Sequence, residues 1–311
     1  MHLSEGAPTI ERVLCALDVE HPIVGAVSLA GLIATRFGVP LEVLHVENNA
    51  SPRRFQRNVE RVAKLMASHN VGQRLEQLVD GRGGPDSTTR LASGGTVASI
   101  LERTGVSGND LIVLGARHRS DLGWQFRDDI ARQVSALAQC ATLTVHDRDG
   151  TDRIERILVP VDFGPVTARA LAWAVVFAER FAAQVHVLHV VSREEKSERS
   201  VERSRKSVRP PGVPADVGAR IAELVEGLAR SGIQATSDVA IASGVVNGIT
   251  DCNDRGEFDL LVLGLSGPPR GAARLTRGVA ATLRNRRSIP VLSVREAMVD
   301  SPNSASGTGG R

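Results

Sequence analysis

Short continuous apolar runs alternate along this chain with longer stretches in which apolar residues recur every three or four positions. The clearest unit spans residues 156–190. Ile157 to Val161 is rich in Val and Ile and too short for a typical helix, which predicts a parallel strand buried on both faces. Asp162 stands at its carboxyl end and is followed by a Gly-Pro turn. Leu171, Val175, Ala178 and Ala182 then recur at helical spacing, and Val185 to Val191 predicts the next strand. The result is a βαβ unit with an acidic side chain at the mouth of its first strand, where open α/β sheets bind ligands.

The unit occurs twice. Asp18 and Asp162 lie 144 positions apart, as do His45 and His189. In the first copy the pattern predicts strands at 12–17, 41–46, 87–92, 110–114 and 142–145. Its helices fall at 23–37, 55–69, 73–78, from the SGGT turn at 93–96 onward, and at 130–137. The second copy predicts strands at 157–161, 185–191, 235–241, 259–263 and 291–294. Its helices lie between the first two strands, at 217–231, through Asn253, and at 279–286. The expected architecture is α/β, two tandem Rossmann-like domains, each a five-stranded parallel sheet flanked by helices. Expected boundaries are 8–147 and 153–297, with a disordered Ser/Gly-rich tail at 298–311.

Composition narrows the function. The chain has 311 residues, enough for two cores, and no apolar run approaches the roughly 20 positions needed to span a bilayer. The N-terminus lacks a signal-peptide layout, so the expected location is cytoplasmic. The net charge of +3 has a local source: 193–209 carries seven basic and four acidic residues. Such a basic segment can attract phosphates but more often is a solvated insert, and with no Tyr and few aromatics to stack on bases nucleic-acid binding is not expected. Cys15, Cys140 and Cys252 share no ligand spacing and read as small core residues. His186 and His189 sit three apart on a strand, facing opposite sides, and form no chelate. No GxGxxG follows either first strand, and no GxSxG elbow is present.

These motifs resemble the universal stress protein family: the ILVPVD-type first strand, the LHV second strand, Gly244 to Ile249 entering a helix, the D-L-x-V-x-G fourth strand and the IPVLSV ending. The resemblance covers nearly the whole chain and implies an intramolecular pseudo-dimer, with a homodimer of the whole chain also open. Nucleotide-binding members carry G-x-x-G, nine residues, then G-[S/T] after the fourth strand. Glycines there let the backbone approach phosphate oxygens, and a helix N-terminus supplies donors and positive dipole.

The resemblance implies an ATP site in the second copy made of Pro160, Asp162, Val190, Gly264, Gly267, Arg277, Gly278 and Val279. Asp162 and Val190 would hold the adenosine side, and the glycines the phosphates. Arg277 stands where the family has Gly, and Gly278 where it has a hydroxyl residue. Pro268 and Pro269 remove two N–H donors, which Arg270, Arg274 and Arg277 could offset by contacting phosphates directly. In the first copy His118 replaces the second glycine and Asp128-Asp129 replaces G-[S/T], which repels phosphate. The expectation is a stress-response regulatory protein with ATP as candidate ligand of the second copy only. It has no catalytic or metal residues and at most slow ATP hydrolysis. The rival expectation is a protein-interaction scaffold that binds no nucleotide.

Overall fold

The computed structural model describes residues 8–18, 22–47, 57, 60, 61, 64, 87–108, 110–116, 127–146, 153–192, 216–266 and 288–295. The first half contains β1 (Val13–Ala16), α1 (Val24–Phe37), β2 (Leu41–Glu47), β3 (Ser87–Ser93), α2 (Thr96–Ser107), β4 (Leu111–Ala116), α3 (Arg127–Leu137) and β5 (Ala141–His146). The second contains β6 (Arg156–Pro160), α4 (Thr167–Phe181), β7 (Gln184–Ser192), α5 (Val217–Arg230), β8 (Ala235–Ala242), α6 (Val245–Gly256), β9 (Leu260–Leu265) and β10 (Val291–Arg295). Residues 57, 60, 61 and 64 are helical, within the helix expected at 55–69. The expected helices at 73–78 and 279–286, the insert at 193–209 and the tail at 298–311 lie outside the described residues.

The ten strands form one sheet in the order β3-β2-β1-β4-β5-β10-β9-β6-β7-β8. Each half is a parallel five-stranded sheet. The halves join edge to edge through β5 and β10, which pair antiparallel with Val291 opposite Thr144 and Ser293 opposite Thr142. The repeat survives at the level of register: Val13 pairs with Leu41 in the first half, and Ile157 with Val185 in the second. Asp110 accepts the N–H groups of Glu11 (2.7 Å) and Arg12 (3.2 Å). Asp259 likewise accepts those of Glu155 (2.9 Å) and Arg156 (3.0 Å). The same acidic residue therefore ties the fourth strand of each half to the lead-in of its first.

One apolar core crosses the seam. It lies under α1, α4 and α5 and includes Leu29, Ile33, Phe177, Leu143 and Leu292. Two smaller cores fill the opposite face, one beneath α2 and α3 and one beneath α6. Burial of this kind contributes roughly 25 cal/mol per Å² of apolar surface and dominates the stability of both layers. The helices that cover the seam meet in a symmetric aromatic cluster. Phe37 and Phe181 lie 6.5 Å apart. The guanidinium of Arg36 sits 5.6 Å from the centre of the Phe181 ring, and that of Arg180 sits 5.4 Å from that of Phe37. Ala182, expected on the buried helical face, is instead exposed and takes a left-handed conformation (φ 55°) that ends α4. Cys15 and Cys252 are buried as expected, and burial pushes the thiols of Cys15 and Cys140 up to about 12. Neither is a nucleophile at neutral pH.

Candidate functional site at the mouth of the second half

β6 lies between β9 and β7, so its carboxyl end is flanked by theirs. Pairing of β6 with β7 ends at Pro160 opposite Leu188, and the Val161 N–H closes the ladder on the Leu188 carbonyl at 2.8 Å. β7 runs on to Ser192 with only β8 beside it. Main-chain groups alternate sides along a strand. The Gln184 N–H bonds Glu155 and the Leu188 carbonyl bonds Val161, so even-numbered residues of β7 face β6. Val190 therefore directs its N–H and carbonyl past the point where β6 has stopped. A donor and an acceptor side by side at a split between parallel strands suit a planar heterocycle edge.

Asp162 begins the connection to α4. Its Oδ1 accepts the Gly164 N–H (2.8 Å) and the Thr167 hydroxyl (3.1 Å), which fixes the carboxylate near the helix N-terminus. The side chain remains exposed. A Cβ on Gly164 would lie 3.0 Å from that same oxygen, so the turn is fitted to a glycine. Phe163 takes a left-handed conformation (φ 59°), unusual for an aromatic residue. Its ring lies 4.8 Å from His189, and the Arg220 guanidinium covers it at 4.1 Å. His189 donates from Nδ1 to the Val161 carbonyl at 2.8 Å and so pins the last residue before the split. His186 bonds Thr236 instead, in keeping with opposite directions for the two rings. Gly264, near the end of β9, lets the turn into α4 pack closely: a Cβ there would meet Val166 at 3.3 Å.

Of the expected site residues, Pro160, Asp162, Val190 and Gly264 surround this mouth. Gly267, Arg277, Gly278 and Val279 lie outside the described residues. Sequence reasoning missed Thr167, Phe163 and Arg220. A hydroxyl five positions after a strand-end Asp, at a helix start, was the available signal for Thr167.

The first half builds the same split. Leu17 closes the ladder on the Leu44 carbonyl (2.8 Å), and His45 Nδ1 donates to the Leu17 carbonyl (2.9 Å). What differs is the turn. The repeat position of Thr167 is Ile23, a buried apolar residue with no hydroxyl to offer Asp18. Ile23 also crowds Gly115, where a Cβ would come within 2.7 Å. His118 lies outside the described residues; Asp128 and Asp129 fall in the first turn of α3.

A parallel sheet split at a strand-end Asp, present twice in tandem, defines a class of open, doubly covered α/β proteins. The chain belongs to the universal stress protein family, whose profile matches residues 9–146 and 153–295. A universal stress protein from Archaeoglobus fulgidus DSM 4304 is similar over 91% of this chain and 96% of its own, at 16% identity and a TM-score of 0.64. A putative universal stress protein from Pseudomonas aeruginosa UCBPP-PA14 is similar over 93% of this chain and 94% of its own, at 16% identity and a TM-score of 0.60. At these identities the likeness establishes the fold alone. No curated protein sequence matches the chain.

Proposed function

We propose that the second half alone holds an adenine nucleotide and that the chain acts as a ligand-responsive regulator in a stress response. The observation that carries this is the placement of Asp162. The Gly164 N–H and the Thr167 hydroxyl hold its carboxylate at the carboxyl end of β6, where pairing with β7 has ended and β7 runs on through Val190, whereas the first half offers Ile23 at the position equivalent to Thr167. In this reading Val190 reads the base, Asp162 takes the ribose, and Pro160 shapes the strand end. The phosphates lie over Gly264, Gly267, Gly278 and Val279, with Arg277 supplying charge. Binding alters the surface of the segment after β9 and so changes what a partner meets. Turnover beyond slow ATP hydrolysis is not part of the proposal. The proposed compartment is the cytoplasm; no helix among the described residues is long and apolar enough to cross a membrane.

Pro268 and Pro269 favour a second reading, a scaffold that binds no nucleotide, because each removes a donor from the phosphate segment. Acid precipitation of the purified chain, with nucleotide measured in the supernatant and ATP calorimetry on the remainder, separates the two. The expected result is about one adenine nucleotide per chain, with Asp162→Ala lowering ATP affinity by about tenfold or more and Asp18→Ala leaving it unchanged. Equal losses from the two substitutions would defeat the asymmetric site. No released nucleotide and no binding heat would leave the scaffold.

A further inference from the structure

Arg169 lies in the first turn of α4, partly buried, and among the described residues no carboxylate pairs with it. Its Nε is shut off from solvent and has no hydrogen-bond acceptor. One turn further on, the indole N–H of Trp173, a residue only 3% exposed, also lacks an acceptor. Both groups can only donate, and a buried donor left without a partner forfeits its hydration for nothing, most of all when it is charged. The first half has Gly25 and Leu29 at these two positions. The fold therefore requires neither donor.

The neighbours of α4 show where Arg169 stands. The helix packs across β6, β9 and β10. Its start touches β9, since a Cβ on Gly264 would meet Val166 at 3.3 Å. Further along, Phe177 meets Phe37 of α1 across the seam, with ring centres 5.6 Å apart. Positions 166, 169, 173 and 177 share one stripe of a helix, so Arg169 belongs to the side that looks over β9 and toward the seam. Helical side chains lean toward the N-terminus of their own helix, which carries the guanidinium back over the turn of Val166 and Thr167. Crossing the mouth from β7 through β6 to β9, one passes Val190, Asp162 and Gly264 and then reaches this cation.

We propose that Arg169 reads the phosphates of the ligand: its guanidinium takes oxygens of the outer phosphates of a nucleoside di- or triphosphate and sets the preference for these over the monophosphate and the bare nucleoside. This rests on the nucleotide reading of the same mouth given above. Phosphate oxygens are the acceptors that the chain itself does not give Arg169, and the positive end of the α4 dipole acts in the same sense.

The test is calorimetry of ATP, ADP, AMP, adenosine and inorganic tripolyphosphate with the full chain and with Arg169→Gln, which keeps a helix-forming polar side chain and drops the charge. The variant is expected to bind ATP and ADP at least about tenfold more weakly and adenosine within about twofold of the parent. Arg169→Lys is expected to recover part of the loss. Without ligand, Arg169→Gln should resist urea at least as well as the parent, because a buried charge without a partner has been removed. A lower urea midpoint would assign Arg169 to the fold and overturn the inference. So would an unchanged ATP affinity, or equal losses for ATP and adenosine. If adenosine binds as tightly as ATP, the nucleotide mouth stands and the role of Arg169 falls. If tripolyphosphate binding depends on Arg169 while adenosine does not bind and Asp162→Ala has no effect, the anion site stands and the nucleotide reading falls. Binding of neither ATP nor tripolyphosphate would end both.

Discussion

The two halves share strand register, the Asp ties and the histidine pins, yet they treat one location in opposite ways. Beneath α2 the first half buries Glu42 under Arg90 and Arg103. Beneath α6 the second half places His186 against Phe258, with ring centres 5.3 Å apart, and bonds it to Thr236. The backbone does not register the exchange. A duplicated fold can keep its hydrogen-bond scaffold while its side chains diverge from a buried ion cluster to a histidine bonded to a threonine, because register is fixed by the ladder and the buried faces.

The largest way to break the comparison is Glu42→Ala. It leaves two guanidinium groups without their buried partner and is expected to cost about 3 kcal/mol in urea unfolding, the low end for such pairs because Arg90 is half exposed. His186→Ala at the equivalent position is expected to cost about 1 kcal/mol, one hydrogen bond and some packing. Equal costs would mean that the Glu42 cluster is decorative. Next comes Gly248→Ala, at a position that is Ser99 in the first half. A Cβ there would lie 2.5 Å from Val190, so a loss of about 1–3 kcal/mol is expected, together with a shift of Val190 amide resonances. Ser99→Ala is expected to be near neutral. The smallest effect is a pH slope. Burial holds the His186 pKa below its ordinary value, with Arg156 and Arg255 acting in the same direction and Asp238 opposing. The folded state thus favours the neutral ring, while the unfolded chain takes up a proton near 6.5. Stability therefore falls as pH drops below that point, and His186→Gln is expected to flatten the fall. An unchanged urea midpoint profile in the variant would remove His186 from the account.

Periodicity carried most of the fold because the strands are buried on both faces and read as unbroken Val/Ile/Leu runs. β6, β7 and β9 fall within a residue or two of their expected limits for that reason. The joining of the two sheets was not legible. β5 and β10 show the same apolar run as any interior strand, and nothing in such a run states which edge meets which. At the site, Asp162 was recognisable from its strand-end position, while Val190 was supplied by the family resemblance. Phe163 was not, because its left-handed backbone runs against the preference of an aromatic residue. It is accompanied by tertiary contacts with His189 and Arg220 that no local pattern encodes. Thr167 was hidden by its ordinary role as a helix-start residue.

The antiparallel seam between β5 and β10 has a consequence for geography. Every strand of one half runs against every strand of the other, so the two mouths open at opposite poles of a wall ten strands wide. At about 4.8 Å per strand, that wall is on the order of 45 Å across. Among the described residues, the material between the two mouths is the shared core and the paired phenylalanines and arginines that bolt α1 to α4, so a signal between the mouths would run through the middle of the molecule.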